Sequence, residues 1–213
     1  MSQPIQTVVG IDVGGEVKGF HAVALRGETF VDKTTATNPA MIVDWCLDHR
    51  ATVVSVDAPC GWSQTGSSRL AEQELELLGR KIYCFATPTR ERAVNHDKGF
   101  YDWVFNGENL YVQLRRSYQL FDGRKRKGPV CFETFPHAVV CAMEGRLVSA
   151  KSKVKVRRKA LQNRGYVISN LSNIDFVDAA LCAVAADEFG KGNYQCFGNP
   201  KEGFIVVPAC RAE

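Results

Sequence analysis

The sequence lacks any apolar run approaching the roughly 20 residues that a bilayer-spanning helix requires. It also lacks the pattern of a secretory signal, because no basic residue precedes Lys18 and no apolar stretch of that type follows one. Repeats and low-complexity segments are absent as well. We therefore expect a cytoplasmic globular protein.

Paired cysteine ligands are missing too. The eight cysteines include no Cys-x-x-Cys pair, which is the spacing typical of zinc sites. Most of them stand beside apolar residues, as in Val130-Cys131-Phe132, where a free thiol behaves as a small buried hydrophobe. The sequence therefore favours structural thiols over a zinc site or a disulfide scaffold.

The composition is that of an ordinary globular protein, with 45% apolar and 23% charged residues. This balance excludes a mainly disordered chain and a collagen-like fibre. A length of 213 residues predicts a single enlarged domain. The stretch at about 60–110, rich in aromatic and turn residues, is interpreted as an insertion into that domain.

Charge is distributed unevenly along the chain. Residues 1–110 hold 10 Lys and Arg against 14 Asp and Glu, whereas residues 111–213 hold 17 against 9. Much of the basic excess lies in 124–127 and in 151–159, where six of nine residues are basic. An acidic half that could hold metal and a basic half that could hold phosphate are consistent with a nucleic-acid enzyme, although basic runs are often only solvated faces.

The hydrophobic pattern predicts an α/β protein. Strand patterns at 6–12, 19–25 and 29–33 are followed by a helix at 41–49 and a buried strand at 52–57. The remaining predicted elements are helices over 67–78 (with Gly79 as C-cap), 108–121, 151–163 and 174–189, and strands over 130–134 and 203–207.

Three carboxylates stand at the ends of predicted buried strands: Asp12, Asp57 and Glu133. A carboxylate in such a place is destabilising unless it is paired, hydrogen-bonded or bound to a cation. In open α/β sheets, ligands bind beyond the carboxyl ends of the strands. The alternative for each is structural, as a turn residue for Asp12 or as the partner of a basic side chain for Glu133.

Two further carboxylates, Asp175 and Asp178, share one face at the start of the last predicted helix. Asp178 is unusual in so apolar a helix, whereas Asp175 lies three residues after Ser172, the spacing of a helix-capping box. Strand-end acids together with a helix-borne pair are what a Mg²⁺ or Mn²⁺ site requires, because these ions take oxygen ligands.

Taken together, these features resemble the ribonuclease H-like superfamily and, within it, domain of unknown function 429, whose members are generally labelled predicted nucleases. The matching segments are Gly10 to Gly15, Val56 to Pro59, Arg69 with Ala71, Glu72 and Gly79, Thr87-Pro88, Phe132 to Pro136, and Asp175 to Ala180. One departure is Ile174, which stands where members often have a further Asp.

The resemblance implies a mixed sheet, with three antiparallel N-terminal strands followed by parallel strands and flanking helices. It also implies that Asp12, Asp57 and Asp178 hold Mg²⁺ or Mn²⁺ in a two-metal nuclease. Asp175 is a further predicted metal ligand and Glu133 a further predicted catalytic residue.

Basic side chains would contact the phosphates of the nucleic acid. The predicted contacts are Lys151, Lys153, Arg157 and Arg158. His137, close to Glu133 in sequence, is a weaker candidate for proton transfer.

Two other functions are compatible with the sequence. The opening Gly-Ile-Asp-x-Gly-Gly is similar to that of the actin and sugar-kinase group, but those enzymes usually need two such domains, and no Gly-x-x-x-x-Gly-Lys-Ser/Thr loop is present. A non-catalytic nucleic-acid-binding module would explain the basic runs. The strand-end acids argue against such a module, since acids near phosphate repel it unless a cation intervenes.

Overall fold

The computed structural model of the chain describes residues 6–96, 99–124 and 127–210. Its strands are β1 (Thr7–Val13), β2 (Phe20–Arg26), β3 (Thr29–Ala36), β4 (Val53–Asp57), β5 (Glu76–Leu77), β6 (Arg80–Lys81), β7 (Gln119–Leu120), β8 (Val130–Glu133), β9 (Tyr194–Asn199) and β10 (Gly203–Pro208). The helices are α1 (Pro39–Asp48), α2 (Leu70–Glu74), α3 (Arg90–Val94), α4 (Asp102–Leu114), α5 (Pro136–Met143), α6 (Lys153–Asn163) and α7 (Ile174–Gly190).

A mixed sheet forms the centre of the fold, in the order β3-β2-β1-β4-β8-β10-β9, and β7 also pairs with β8. The first three strands form an antiparallel meander, while β4 runs parallel to β1 and β8 runs parallel to β4. This arrangement confirms the predicted fold class. It also places the carboxyl ends of β1 and β4 side by side at one edge of the sheet.

Helices cover both faces of the sheet. On one face, α7 packs with α5 and α6 over side chains such as Val8, Val23 and Phe132. On the other face, α1 and α4 pack over Val9 and Ile11. Every residue of α7 from Phe176 to Asp187 is buried, so this helix lies in the centre of its layer.

The predicted helix over 67–78 is largely wrong. Only α2 is helical there, and β5 and β6 then form a hairpin whose two turn residues, Leu78 and Gly79, both have positive φ. A two-residue loop with two positive φ angles is the geometry of a tight hairpin turn. Gly79 is therefore a turn residue of this hairpin and caps no helix.

The helix predicted over 108–121 is displaced, because α4 begins at Asp102 and ends at Leu114. Its early start places Gly107 against the loop after β4, where an added Cβ would lie 2.7 Å from the Cβ of Ala58. Residues 58–96 and 99–101 contribute no strand to the central sheet, and among them α2 packs against β9 and β10. Sequence reasoning missed α3, α5, β7 and β9.

None of the helices in the described ranges combines the length and apolar character that crossing a membrane would require. All eight cysteines are free thiols, and four of them, Cys46, Cys131, Cys141 and Cys182, are buried.

Candidate metal centre

The register of three neighbouring strands brings Asp12, Asp57 and His21 into one row. Asp12 is the partner of Asp57 in the parallel pair β1–β4 and of His21 in the antiparallel pair β1–β2. Directly paired residues on adjacent strands project from the same face of a sheet. The three side chains therefore lie next to one another on the face that α7 covers.

Helix α7 approaches this face unusually closely because Gly10 has no side chain. A Cβ added at Gly10 would lie 2.0 Å from the carbonyl oxygen of Ala179 and 2.1 Å from the amide nitrogen of Ala183. Gly10 lies two residues before Asp12, on the same face of β1. The close contact therefore brings the start of α7, with Asp175 and Asp178, over the strand-end acids.

Two basic side chains compensate the carboxylates. Lys18, in the loop between β1 and β2, places its Nζ 2.7 Å from Oδ1 of Asp175 and 3.5 Å from Oδ2 of Asp12. Arg157 of α6 donates from Nη1 to Oδ1 of Asp178. Asp57 has no hydrogen-bond or ion-pair partner among the residues that the structure describes, and it is the least compensated acid of the cluster.

The capping explanation for Asp175 is wrong. Helix α7 is capped by Asn173, whose Oδ1 accepts a hydrogen bond from the amide of Phe176 at 2.9 Å. The Asp175 carboxylate does not cap the helix. Its two oxygens lie instead 2.7 Å from Nζ of Lys18 and 3.9 Å from Nε2 of His21.

Crowding and burial change the protonation of the two strand-end acids. Burial raises the pKa of Asp12 from 3.8 to about 7, although the charge of Lys18 opposes the shift. Burial, reinforced by the charges of Asp12 and Asp178, raises the pKa of Asp57 well above 3.8. Both shifts mean that the folded protein disfavours the two negative charges when no added cation is present.

The other groups of the cluster respond to the same environment. Burial raises the pKa of Asp178 even though Arg157 lowers it. Burial also lowers the pKa of His21, which favours the neutral imidazole, and Nδ1 of His21 is buried without a hydrogen-bond partner. Burial lowers the pKa of Lys18, but the hydrogen bond to Asp175 and the charge of Asp12 outweigh it and raise that pKa overall.

The donor set fits a metal ion. One ligand atom each from Asp12, His21 and Asp175 lie within 4.8 Å of one another, so this buried cluster could hold a metal ion. Carboxylate oxygens predominate once Asp57 and Asp178 are included, and oxygen ligands suit hard divalent cations. Of the two basic side chains at the cluster, Lys18 and Arg157, Lys18 is 47% exposed. It therefore has room to move away from the carboxylates.

The family model described as "Protein of unknown function (DUF429)" matches residues 10–203. The chain belongs to this family. No curated protein and no solved structure matches it. The mixed sheet is compatible with the wider ribonuclease H-like superfamily.

Glu133, the third predicted strand-end acid, lies apart from the acid cluster. Its partner on β4 is Val56, not Asp57, so it projects from the opposite face of the sheet. Both of its oxygens accept hydrogen bonds from the buried guanidinium of Arg69, at 2.6 and 2.8 Å, and Arg69 also pairs with Glu72. Arg69 and its two carboxylate partners therefore join the segment after β4 to the sheet, and Glu133 takes part in a buried ion pair there.

The four predicted phosphate contacts separate into two groups. Lys151, two residues before α6, and Lys153, the first residue of α6, are exposed. Arg157 is buried against Asp178, and Arg158 donates from Nη2 to the carbonyl oxygen of Leu171 at 2.8 Å. Only the two lysines therefore form part of an exposed basic surface.

Sequence reasoning missed Lys18 and His21 as members of the site. A signal for His21 was present, because an antiparallel hairpin with a turn around Gly14 to Gly19 pairs it with Asp12. Lys18 gave no comparable signal, since its position depends on where α7 places Asp175.

Proposed function

We propose that this chain is a Mg²⁺- or Mn²⁺-dependent phosphodiester hydrolase that acts on nucleic acid. The observation that carries the proposal is the convergence of Asp12, Asp57, Asp175 and Asp178 from two strands and a helix, with the pKa of Asp12 raised to about 7. A purely structural role would not explain four acids at one point, because each adds repulsion.

Each residue has a distinct task in this proposal. Asp12 and Asp57, adjacent on paired strands, would hold divalent ions together with Asp178, and Asp175 and His21 would extend the ligand set on the β2 side. Divalent ions held there would neutralise developing charge on a phosphate and lower the pKa of a bound water.

Lys18 and Arg157 stabilise the cluster when no divalent ion is bound. Lys18 spans Asp12 and Asp175, and Arg157 neutralises Asp178. If a divalent ion supplied that charge, both side chains would be available to phosphate oxygens. Lys would bind them as a point charge and Arg through a bidentate fork.

We also propose a cytoplasmic location, on the sequence alone.

The proposal is tested by incubating the protein with structured and single-stranded DNA and RNA, in Mg²⁺, Mn²⁺ or Ca²⁺. We expect cleavage with Mg²⁺ and Mn²⁺, little with Ca²⁺, and loss of turnover in Asp12→Asn, since removal of a ligand affects the chemical step. The matched control is Asp44→Asn, an exposed acid of α1.

Cleavage that survives in Asp12→Asn would place the activity elsewhere. Absence of cleavage by the wild type on every substrate with Mg²⁺ and Mn²⁺ would count against the hydrolase and favour the binding module.

A further inference from the structure

A cavity of about 340 Å³ adjoins the acid cluster on the side of Arg157. It lies between the β5–β6 hairpin, the start of α5 and the first turns of α6. The lining combines aromatic rings with cations: Lys81, Tyr83, Phe135, His137, Lys153 and Arg157. A larger cavity of about 530 Å³ lies at the opposite ends of β4 and β8, away from the acids.

Arg157 connects the cavity to the acid cluster. Its Nη1 donates to Asp178, whereas its Nε is buried and has no hydrogen-bond partner. The residue is only 9% exposed and lines the cavity. An unpartnered buried guanidinium N–H is destabilising, so Arg157 would be stabilised by an acceptor that reached it from the cavity.

We propose that this cavity binds one unpaired nucleotide unit, with its base against Tyr83 and Phe135 and its phosphate at Lys153 and Arg157. The choice of nucleic acid as the ligand rests on the proposed function. The cavity would then be the subsite for the nucleotide next to the reacting phosphate.

The lining favours a nucleotide because aromatic rings suit its base and basic side chains suit its phosphate. Tyr83 is 82% exposed, an unusual position for a large ring, and Nζ of Lys81 lies 5.8 Å from its centroid. Unpaired bases stack on exposed aromatic side chains, whereas bases within a duplex are not free to do so. A volume of about 340 Å³ suits a small ligand and not a duplex.

The test measures binding in Ca²⁺, with which little cleavage is expected to interfere. The probes are fluorescein-labelled oligothymidylate of eight nucleotides, a duplex of the same length, and unlabelled thymidine monophosphate as competitor. We expect the single strand to bind best. Tyr83→Leu should weaken its binding at least about fivefold, the lower end for loss of a base–aromatic stack, and Tyr83→Phe should retain it.

A second pair of variants separates the cavity from general charge. Lys153 lines the cavity, whereas Lys155, on the same exposed part of α6, does not. Lys153→Ala should weaken binding more than Lys155→Ala, and should reduce the salt slope by about 0.7, the value for one phosphate contact with a single strand. Equal effects of the two variants would overturn the assignment of the phosphate.

The outcomes distinguish this inference from the proposed function. Cleavage by the wild type combined with unchanged binding in Tyr83→Leu would overturn the cavity assignment and leave the hydrolase intact. Tyr83-dependent binding without cleavage in any metal would support the cavity and count against the hydrolase. If thymidine monophosphate competes with an affinity equal to that of the oligonucleotide, the cavity binds a free nucleotide. If it competes much more weakly, the cavity binds a nucleotide that is part of a strand.

Discussion

Asp12 and Asp57 are register partners on the parallel strands β1 and β4, so their carboxylates project side by side beneath α7. This pairing is the structural basis of the candidate metal centre. Neither acid is paired as closely as Asp175 is with Lys18. An added cation would therefore be stabilised most at these two carboxylates.

The first prediction concerns pH and Asp12. Its pKa is raised by burial from 3.8 to about 7. Between these values the folded protein keeps a proton that the unfolded chain has lost, so this contribution to stability is present at pH 4 and is lost as the pH rises to 7. Asn cannot ionise. In EDTA the melting temperature of Asp12→Asn should therefore rise relative to wild type by several degrees across this range.

Calorimetry at several pH values checks this prediction, with Asp44→Asn as the control that should show no such trend. Saturating Mg²⁺ at pH 7.5 should reverse the difference, because only the wild type keeps the ligand. A constant difference from pH 4 to 8 would show that Asp12 does not titrate in this range.

The second prediction concerns Lys18. Lys18→Met removes a cation that competes with a metal ion for Asp12 and Asp175, so Mn²⁺ should bind at least about fivefold tighter, given interaction energies of about 1–4 kcal/mol between neighbouring charges. The metal-free variant should melt below wild type because its carboxylates lose their counterion. Calorimetric titration measures the affinity, with the exposed Lys201→Met as control. Weaker Mn²⁺ binding would mean that Lys18 supports the bound state instead.

The third prediction separates Glu133 from the metal centre. Glu133→Gln or Arg69→Met breaks a buried ion pair and should reduce the free energy of unfolding by about 3–5 kcal/mol. Mn²⁺ affinity of the folded variant should stay at the wild-type value. Replacing both residues together should cost less than the sum of the two single losses, since each single variant already breaks the Arg69–Glu133 pair, although Glu72 also loses its cation when Arg69 is replaced. A stable Glu133→Gln protein that has lost Mn²⁺ binding would restore Glu133 to the site.

The fourth prediction tests the close approach of α7. Gly10→Ala places a methyl group against the backbone of Ala179 and Ala183, which cannot move as a flexible side chain could. We expect a loss of at least about 3 kcal/mol, the upper part of the range for overpacking, together with weaker Mn²⁺ binding because Asp178 is displaced. Urea denaturation measures the stability. The control is Gly190→Ala at the end of α7, where an added Cβ meets nothing within 4 Å.

Much of the fold could be predicted from the sequence, because β-branched runs and strand-end acids are local signals. Together with the acid pair of the last predicted helix, they located β1 to β4, α7 and the four acids that the structure brings together, Asp12, Asp57, Asp175 and Asp178. The sheet face from which Glu133 projects could not be predicted, because all strand-end acids look alike in sequence. A shift of one residue in strand register moves a side chain to the other face of the sheet. The helix forecast over 67–78 failed because Leu75 and Leu77 also fit the period of two of a strand, and tertiary packing selected the hairpin.

A crystal soaked in MnCl₂ shows, through the anomalous scattering of manganese, whether the four aspartates hold a divalent ion. We predict an anomalous peak in contact with both Asp12 and Asp57, with Lys18 withdrawn from Asp175. A crystal with no manganese at the cluster, in which Lys18 still binds Asp175 and Arg157 still binds Asp178, would show that the aspartates do not form a metal centre.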